Sequence, residues 1–121
     1  MQYLKGRLRS VGFAVQGLRV LLATQPNARI HALATVCVVA AGWYWQVSRA
    51  DWLALVLAIA MVWVAEAINT GIEWAVDLAS PEHHPLAGKA KDVAAAAVLL
   101  ASLAAVVVGL LVFVPHLLPS K

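Results

Sequence analysis

From Val93 to Val114 the chain runs 22 residues without a charge, and Pro115 closes the run. A helix of that length covers about 33 Å at about 1.5 Å per residue, enough for a bilayer core of about 30 Å. Composition says where such a segment lies. Of 121 residues, 63% are apolar and 12% charged, against about 45–50% and about 25% in soluble domains. A soluble fold of this size cannot hide that much apolar surface. A disordered tail, a nucleic-acid module and a disulfide scaffold are excluded as well. The formal net charge is only +3, and Cys37, the single cysteine, sits inside an apolar run. The chain reads as one all-α integral membrane domain over residues 1–121.

Two further spans are expected, at about 29–48 and 52–77, with the last at 93–114. The apolar stretch Ala32–Val47 is short and ends in Trp43, Tyr44 and Trp45, which suit an interfacial belt. Residues 52–65 are wholly apolar, after which Glu66, Asn69, Glu73 and Asp77 intrude. Residues 1–24 differ. Leu4, Leu8, Val11, Val15, Leu18 and Leu22 recur at steps of four and three, with Lys5, Arg9, Gln16 and Arg19 on another face. That pattern predicts an amphipathic helix lying in the interface. A cleaved signal peptide is not expected, because the apolar residues are periodic and no small-residue cleavage site follows. With three spans, Lys5, Arg7, Arg9, Arg19, Arg29, Lys89 and Lys91 share one side, and Arg49 and Lys121 the other. The positive-inside rule then places the N-terminus and the 78–92 loop in the cytoplasm.

At about 100° per residue, Glu66, Asn69, Glu73 and Asp77 fall within an arc of about 80°. An ionisable group at the bilayer centre costs at least about 2.5 kcal/mol, so such groups face protein, water or ligand. Counting about 1.5 Å per residue from Trp52 puts Glu66 about 9 Å below the cytoplasmic border and Glu73 near it. One carboxylate is then at the depth of a lipid hydroxyl and the other at the depth of a soluble polyanion's metal. The stripe can also be read as polar glue between helices. One asparagine would favour that reading; three carboxylates and an asparagine on one face favour chemistry.

The next segment carries Glu82, His83, His84, Lys89, Lys91 and Asp92. A zinc site is not expected, since adjacent histidines rarely face one ion and no cysteine or third histidine is near. Lys91 and Asp92 read as opening the last helix, Asp92 as an N-cap or first-turn acid. There is no glycine-rich phosphate loop.

Glu66-Ala-Ile-Asn69-Thr-Gly-Ile-Glu73, Asp77, His84-Pro-Leu-Ala and Ala90-Lys91-Asp92-Val-Ala-Ala-Ala-Ala-Val98-Leu together resemble the signature of the small bacterial integral-membrane lipid kinases, the diacylglycerol kinase and undecaprenol kinase family. Asn27-Ala-Arg29-Ile-His31 extends the resemblance toward the N-terminus. The resemblance implies a homotrimer of three-span subunits in the bacterial inner membrane, with active sites at subunit boundaries near the cytoplasmic face. It implies transfer of the γ-phosphate of magnesium ATP to a lipid hydroxyl, undecaprenol ahead of diacylglycerol. Glu66 matches the general base and Glu73 the metal ligand. Asn69, Glu82, His83, His84, Lys91 and Asp92 match positions that form the site and hold the nucleotide. Three positions depart from the family pattern. Gln25 stands where classical members have a metal-binding glutamate. Phe13 replaces an aromatic hydroxyl at the nucleotide site, and Gly6 an arginine. A different class of function, a non-enzymatic oligomer that conducts ions or serves as a scaffold, fits less well. The stripe occupies only half of its span, and residues 52–65 offer no polar pore lining.

Overall fold

Three short breaks cut the chain into four helices, and each break has a local cause. The computed structural model describes residues 1–118, so Lys121 lies outside it. The helices are α1 (Gln2–Thr24), α2 (Pro26–Tyr44), α3 (Arg49–Ala79) and α4 (Pro85–Leu117).

The first break is made by Pro26 at the first position of α2, which holds Gln25 in an extended conformation (φ −105°, ψ 113°). Arg29 secures the elbow by donating from Nε to the Leu22 carbonyl at 2.9 Å and from a terminal nitrogen to that of Ala23. A residue read as a topology charge is thus also the cap on the last carbonyls of α1. At the second break Gln46 adopts a left-handed φ of 49°. Ser48 and Asp51 then form a capping box, with Asp51 N donating to Ser48 Oγ at 3.1 Å and Ser48 N to Asp51 Oδ2 at 3.2 Å. The third break holds Pro81, and Pro85 opens α4. His84 caps that helix through Nδ1, which accepts from Leu86 N at 3.1 Å.

One expectation is corrected here, and two helix ends lie away from the ends of their apolar runs. The helix after the loop starts at Pro85, so Lys91 and Asp92 lie almost two turns inside α4 and Asp92 is not its cap. Hydropathy marks where a helix enters lipid, whereas proline and a capping side chain mark where it begins. At the other end α4 runs through Pro115 to Leu117, because a proline near the end of a helix removes one backbone donor without ending the turn already formed. In the second segment, helix ends at Tyr44, where the turn at Gln46 interrupts it.

The main interface joins α3 to α4, with α2 packed on α3 and α1 resting on both α2 and α3. Ala94 and Ala101 are buried on α4, and Ala58 and Val62 on α3. Small side chains let the two backbones approach. Val47, Leu55 and Val112 form a cluster at one end of the bundle, closed by Trp45, Trp52 and Phe113. Gly42 is needed there, since a Cβ at that position would lie 2.7 Å from the Trp52 ring. Among the described side chains of α1 only Leu21 is buried.

Among the described residues, two helices, α3 and α4, are long and apolar enough to cross a membrane. Large apolar side chains stand open along them, Leu57, Val93 and Leu111 each about 70% exposed. Water would not tolerate so continuous an apolar surface, and lipid or another protein surface satisfies it.

Candidate active site

The polar stripe of α3 divides by depth. Glu66 is the most deeply buried polar residue, 1% exposed, and Asn69 and Thr70 are buried beside it. Glu73 is half-buried and Asp77 exposed. Glu66 faces α2, where His31 Nε2 stands 3.5 Å from its Oε2. Four buried atoms here have no hydrogen-bond partner: Glu66 Oε2, His31 Nε2, Asn69 Oδ1 and Thr70 Oγ1. Leaving one such group unpaired costs about 1–3 kcal/mol, so each of them asks for a ligand or a role.

Neighbouring contacts fix the frame. Trp63 Nε1 donates to Thr35 Oγ1 at 3.0 Å, and Thr35 Oγ1 donates to the His31 carbonyl at 2.7 Å, tying α3 to α2. Asn69 Nδ2 donates to Glu73 Oε1 at 3.1 Å, which orients the carboxylate and leaves the asparagine carbonyl open. Across the α3–α4 seam, Lys91 Nζ donates to Asp77 Oδ1 at 2.8 Å. That hydrogen bond, with the added charge of Asp77 and Glu73, holds the Lys91 ammonium above the ordinary lysine value.

Cavities surround this frame on three sides. A polar pocket of about 320 Å³ under the α3–α4 loop is lined by Asp77, Glu82, His83, His84 and Lys91. An apolar groove of about 450 Å³ runs between α3 and α4, with Asn69 as its polar member. A second groove, about 380 Å³, is bounded by α2, α3 and α4 and includes His31, Thr35 and Trp63. The arrangement therefore sets one polar pocket and two mostly apolar grooves around the buried polar side chains of α3.

Of the sequence-predicted residues, Glu66, Asn69 and Glu73 share one side of α3, and Glu82, His83, His84 and Lys91 share the loop pocket. Asp92 is exposed and does not line that pocket. Phe13 is 67% exposed on α1. Gln25 sits at the α1–α2 elbow, its Nε2 donating to Thr24 Oγ1 at 3.3 Å. Neither lines the pocket. Among the described residues, no three His, Cys, Asp or Glu side chains converge to hold a metal. Sequence reasoning missed His31 and Thr70 among these unpartnered polar groups. For His31 the available signal was an ionisable side chain one residue before an apolar stretch.

Residues 12–113 match the family described as prokaryotic diacylglycerol kinase. The chain belongs to that family. It is therefore a lipid kinase. Within the prokaryotic diacylglycerol kinase family it is 37% identical to the undecaprenol kinase of Bacillus subtilis over 90% of this chain and 89% of that protein. It is 40% identical to a diacylglycerol kinase of Synechocystis, over 92% of this chain and 64% of that longer protein. Identity to the diacylglycerol kinase of Escherichia coli K12 is 30%, over 83% of this chain and 82% of the relative.

Proposed function

We propose that the chain transfers the γ-phosphate of ATP to the hydroxyl of a membrane lipid alcohol, undecaprenol ahead of diacylglycerol, with Glu66 as general base. The observation that carries this reading is the Glu66 carboxylate, 1% exposed, with Oε2 unpartnered and His31 Nε2 3.5 Å away. In the reaction the lipid O–H gives its proton to Glu66 as the oxygen bonds to Pγ. The bond from Pγ to the bridging oxygen breaks, and ADP leaves with the electron pair. Phosphoryl transfer asks mostly for positioning and charge neutralisation, and a base within hydrogen-bond reach supplies the rest.

Magnesium fits the donor set. Glu73 and the open Asn69 Oδ1 are oxygen donors, and this ion is typically held by one or two carboxylates with the substrate phosphates and water completing its shell. When bound it would neutralise phosphate charge. Glu73 is the residue assigned to hold it, and Gln25 a weaker neutral contact. Lys91 offers a point charge to phosphate, and Glu82, His83 and His84 form the pocket wall for the nucleotide. Asp92 and Phe13 are assigned to the nucleotide from an adjoining surface.

The same reading makes α2 the third span and α1 an interfacial helix. It places the N-terminus and loop pocket on the cytoplasmic side of the inner membrane. A homotrimer would cover apolar faces of α3 and α4 that stand open in one chain and bring Phe13, Gln25 and Asp92 to a neighbour's site. The preference for undecaprenol is supported by the nearly end-to-end match to a protein of that name. The test is labelled-phosphate transfer from ATP by the purified protein in detergent, with undecaprenol and diacylglycerol side by side. Faster transfer to undecaprenol supports the reading; faster transfer to diacylglycerol reverses the preference, and no transfer to either removes it.

A further inference from the structure

The reaction as drawn leaves one buried titratable group unused. His31 Nε2 stands 3.5 Å from Glu66 Oε2, with the two side chains 16% and 2% exposed, and neither atom has a hydrogen-bond partner. A formed N–H···O bond is about 2.7–3.2 Å long, so a few tenths of an ångström separate this pair from closure. Catalytic hydrogen bonds are often long without substrate and tighten in the Michaelis complex.

The surrounding contacts hold the pair in place. Thr35 lies one turn beyond His31 on α2, and Trp63 one turn before Glu66 on α3. Their side chains are joined at 3.0 Å, and Thr35 Oγ1 also holds the His31 carbonyl at 2.7 Å. The seam between α2 and α3 thus carries two polar ties about one turn apart, one a made hydrogen bond and the other the His31–Glu66 approach. His31 also forms part of the wall of the groove of about 380 Å³ whose other members are mostly apolar. The imidazole therefore lies between a lipid-facing groove and the carboxylate.

We propose that His31 is a positioning residue for Glu66. With a proton on Nε2, it donates to Oε2, fixes the carboxylate rotamer and leaves Oε1 to accept the proton of the lipid hydroxyl. Misplacing a reacting group by about 1 Å can cost about a hundredfold in rate, so an untethered glutamate is a poor base even when intact. The proposal rests on the assignment of Glu66 as the base.

The test compares His31→Leu, which removes the donor, with His31→Gln, whose amide nitrogen can reach a similar position. Both are made in the full chain, alone and with Glu66→Gln, and assayed for phosphate transfer to lipid. His31→Leu is expected to lower kcat about ten- to a hundredfold with KM for ATP unchanged, and His31→Gln to recover most of the loss. In the Glu66→Gln background, His31→Leu is expected to add nothing, because the donor then has no base to position. Unchanged kcat in His31→Leu overturns the proposal. So does an equal loss in both histidine variants with assembly and thermal stability intact, or a full extra loss in the Glu66→Gln background. Near-normal turnover of Glu66→Gln by itself would instead overturn the base assignment beneath it.

Discussion

Around Trp52, α3 is wedged among Trp45, Phe113 and Val112 and opens on a completed capping box. Fourteen residues on, around Glu66, the same helix buries polar atoms that have no partner. At the aromatic end the chain fills space: Trp43 and Trp52 meet edge to face at 6.3 Å, and Gly42 leaves no room for a Cβ. At the carboxylate end Glu66 Oε2, His31 Nε2, Asn69 Oδ1 and Thr70 Oγ1 forgo the hydrogen bonds that would stabilise them. The contrast teaches how a small bundle divides its labour. Packing at one end fixes the helices, which lets the other hold groups that cost stability.

That division can be broken from either side. At the carboxylate end, Glu73→Ala is expected to reduce activity at limiting magnesium by about a hundredfold or more, as removal of a group that stabilises phosphate charge does. Thermal unfolding in detergent should barely change. A magnesium titration like that of wild type would contradict the assignment. At the aromatic end the expected effects reverse. Gly42→Val drives a side chain into the Trp52 ring and should lower stability by about 1–3 kcal/mol, while KM for ATP stays at its wild-type value. A variant with normal stability and a damaged active site would mean that the two ends are not separate.

How much of this was readable beforehand depends on the kind of signal. The placement of Glu66, Asn69, Glu73 and Asp77 on one face follows from helical periodicity, which the sequence carries directly. Their order of depth follows from counting along the helix, but the cover over Glu66 does not, because it is decided by which neighbouring helix packs on that turn. His31 escaped notice for the same reason. Its distance to Glu66 is set by how α2 leans on α3, and no spacing within either segment encodes that. The elbow at Pro26 and the start of α4 at Pro85 are local proline effects, visible once backbone rules are weighed above hydropathy.

Smaller changes sharpen the picture at its edges. Gln25→Glu should lower the magnesium concentration for half-maximal activity a few-fold, because a charged oxygen binds this hard cation better than an amide. No change, with Glu73→Ala still damaging, would leave residue 25 as elbow only. The Lys91–Asp77 pair gives the smallest expected signal. The raised Lys91 pKa means that the pairing is fully present below the ordinary lysine value of 10.5 and is lost only as pH rises through the raised one. The pH–activity profile should therefore show no Lys91 step between about pH 7 and about pH 9. A step in that window that disappears in Lys91→Met would contradict the geometry.

The central claim is that the buried, unpartnered Glu66 carboxylate takes the proton of a lipid hydroxyl. Its most direct test is the single-turnover rate of phosphate transfer from magnesium ATP to undecaprenol in Glu66→Gln and in wild type. Glutamine keeps the shape and removes the proton acceptor. The account predicts a fall of about 10²- to 10⁴-fold with nucleotide binding and thermal stability retained. A Glu66→Gln enzyme that transfers phosphate at close to the wild-type rate would contradict it.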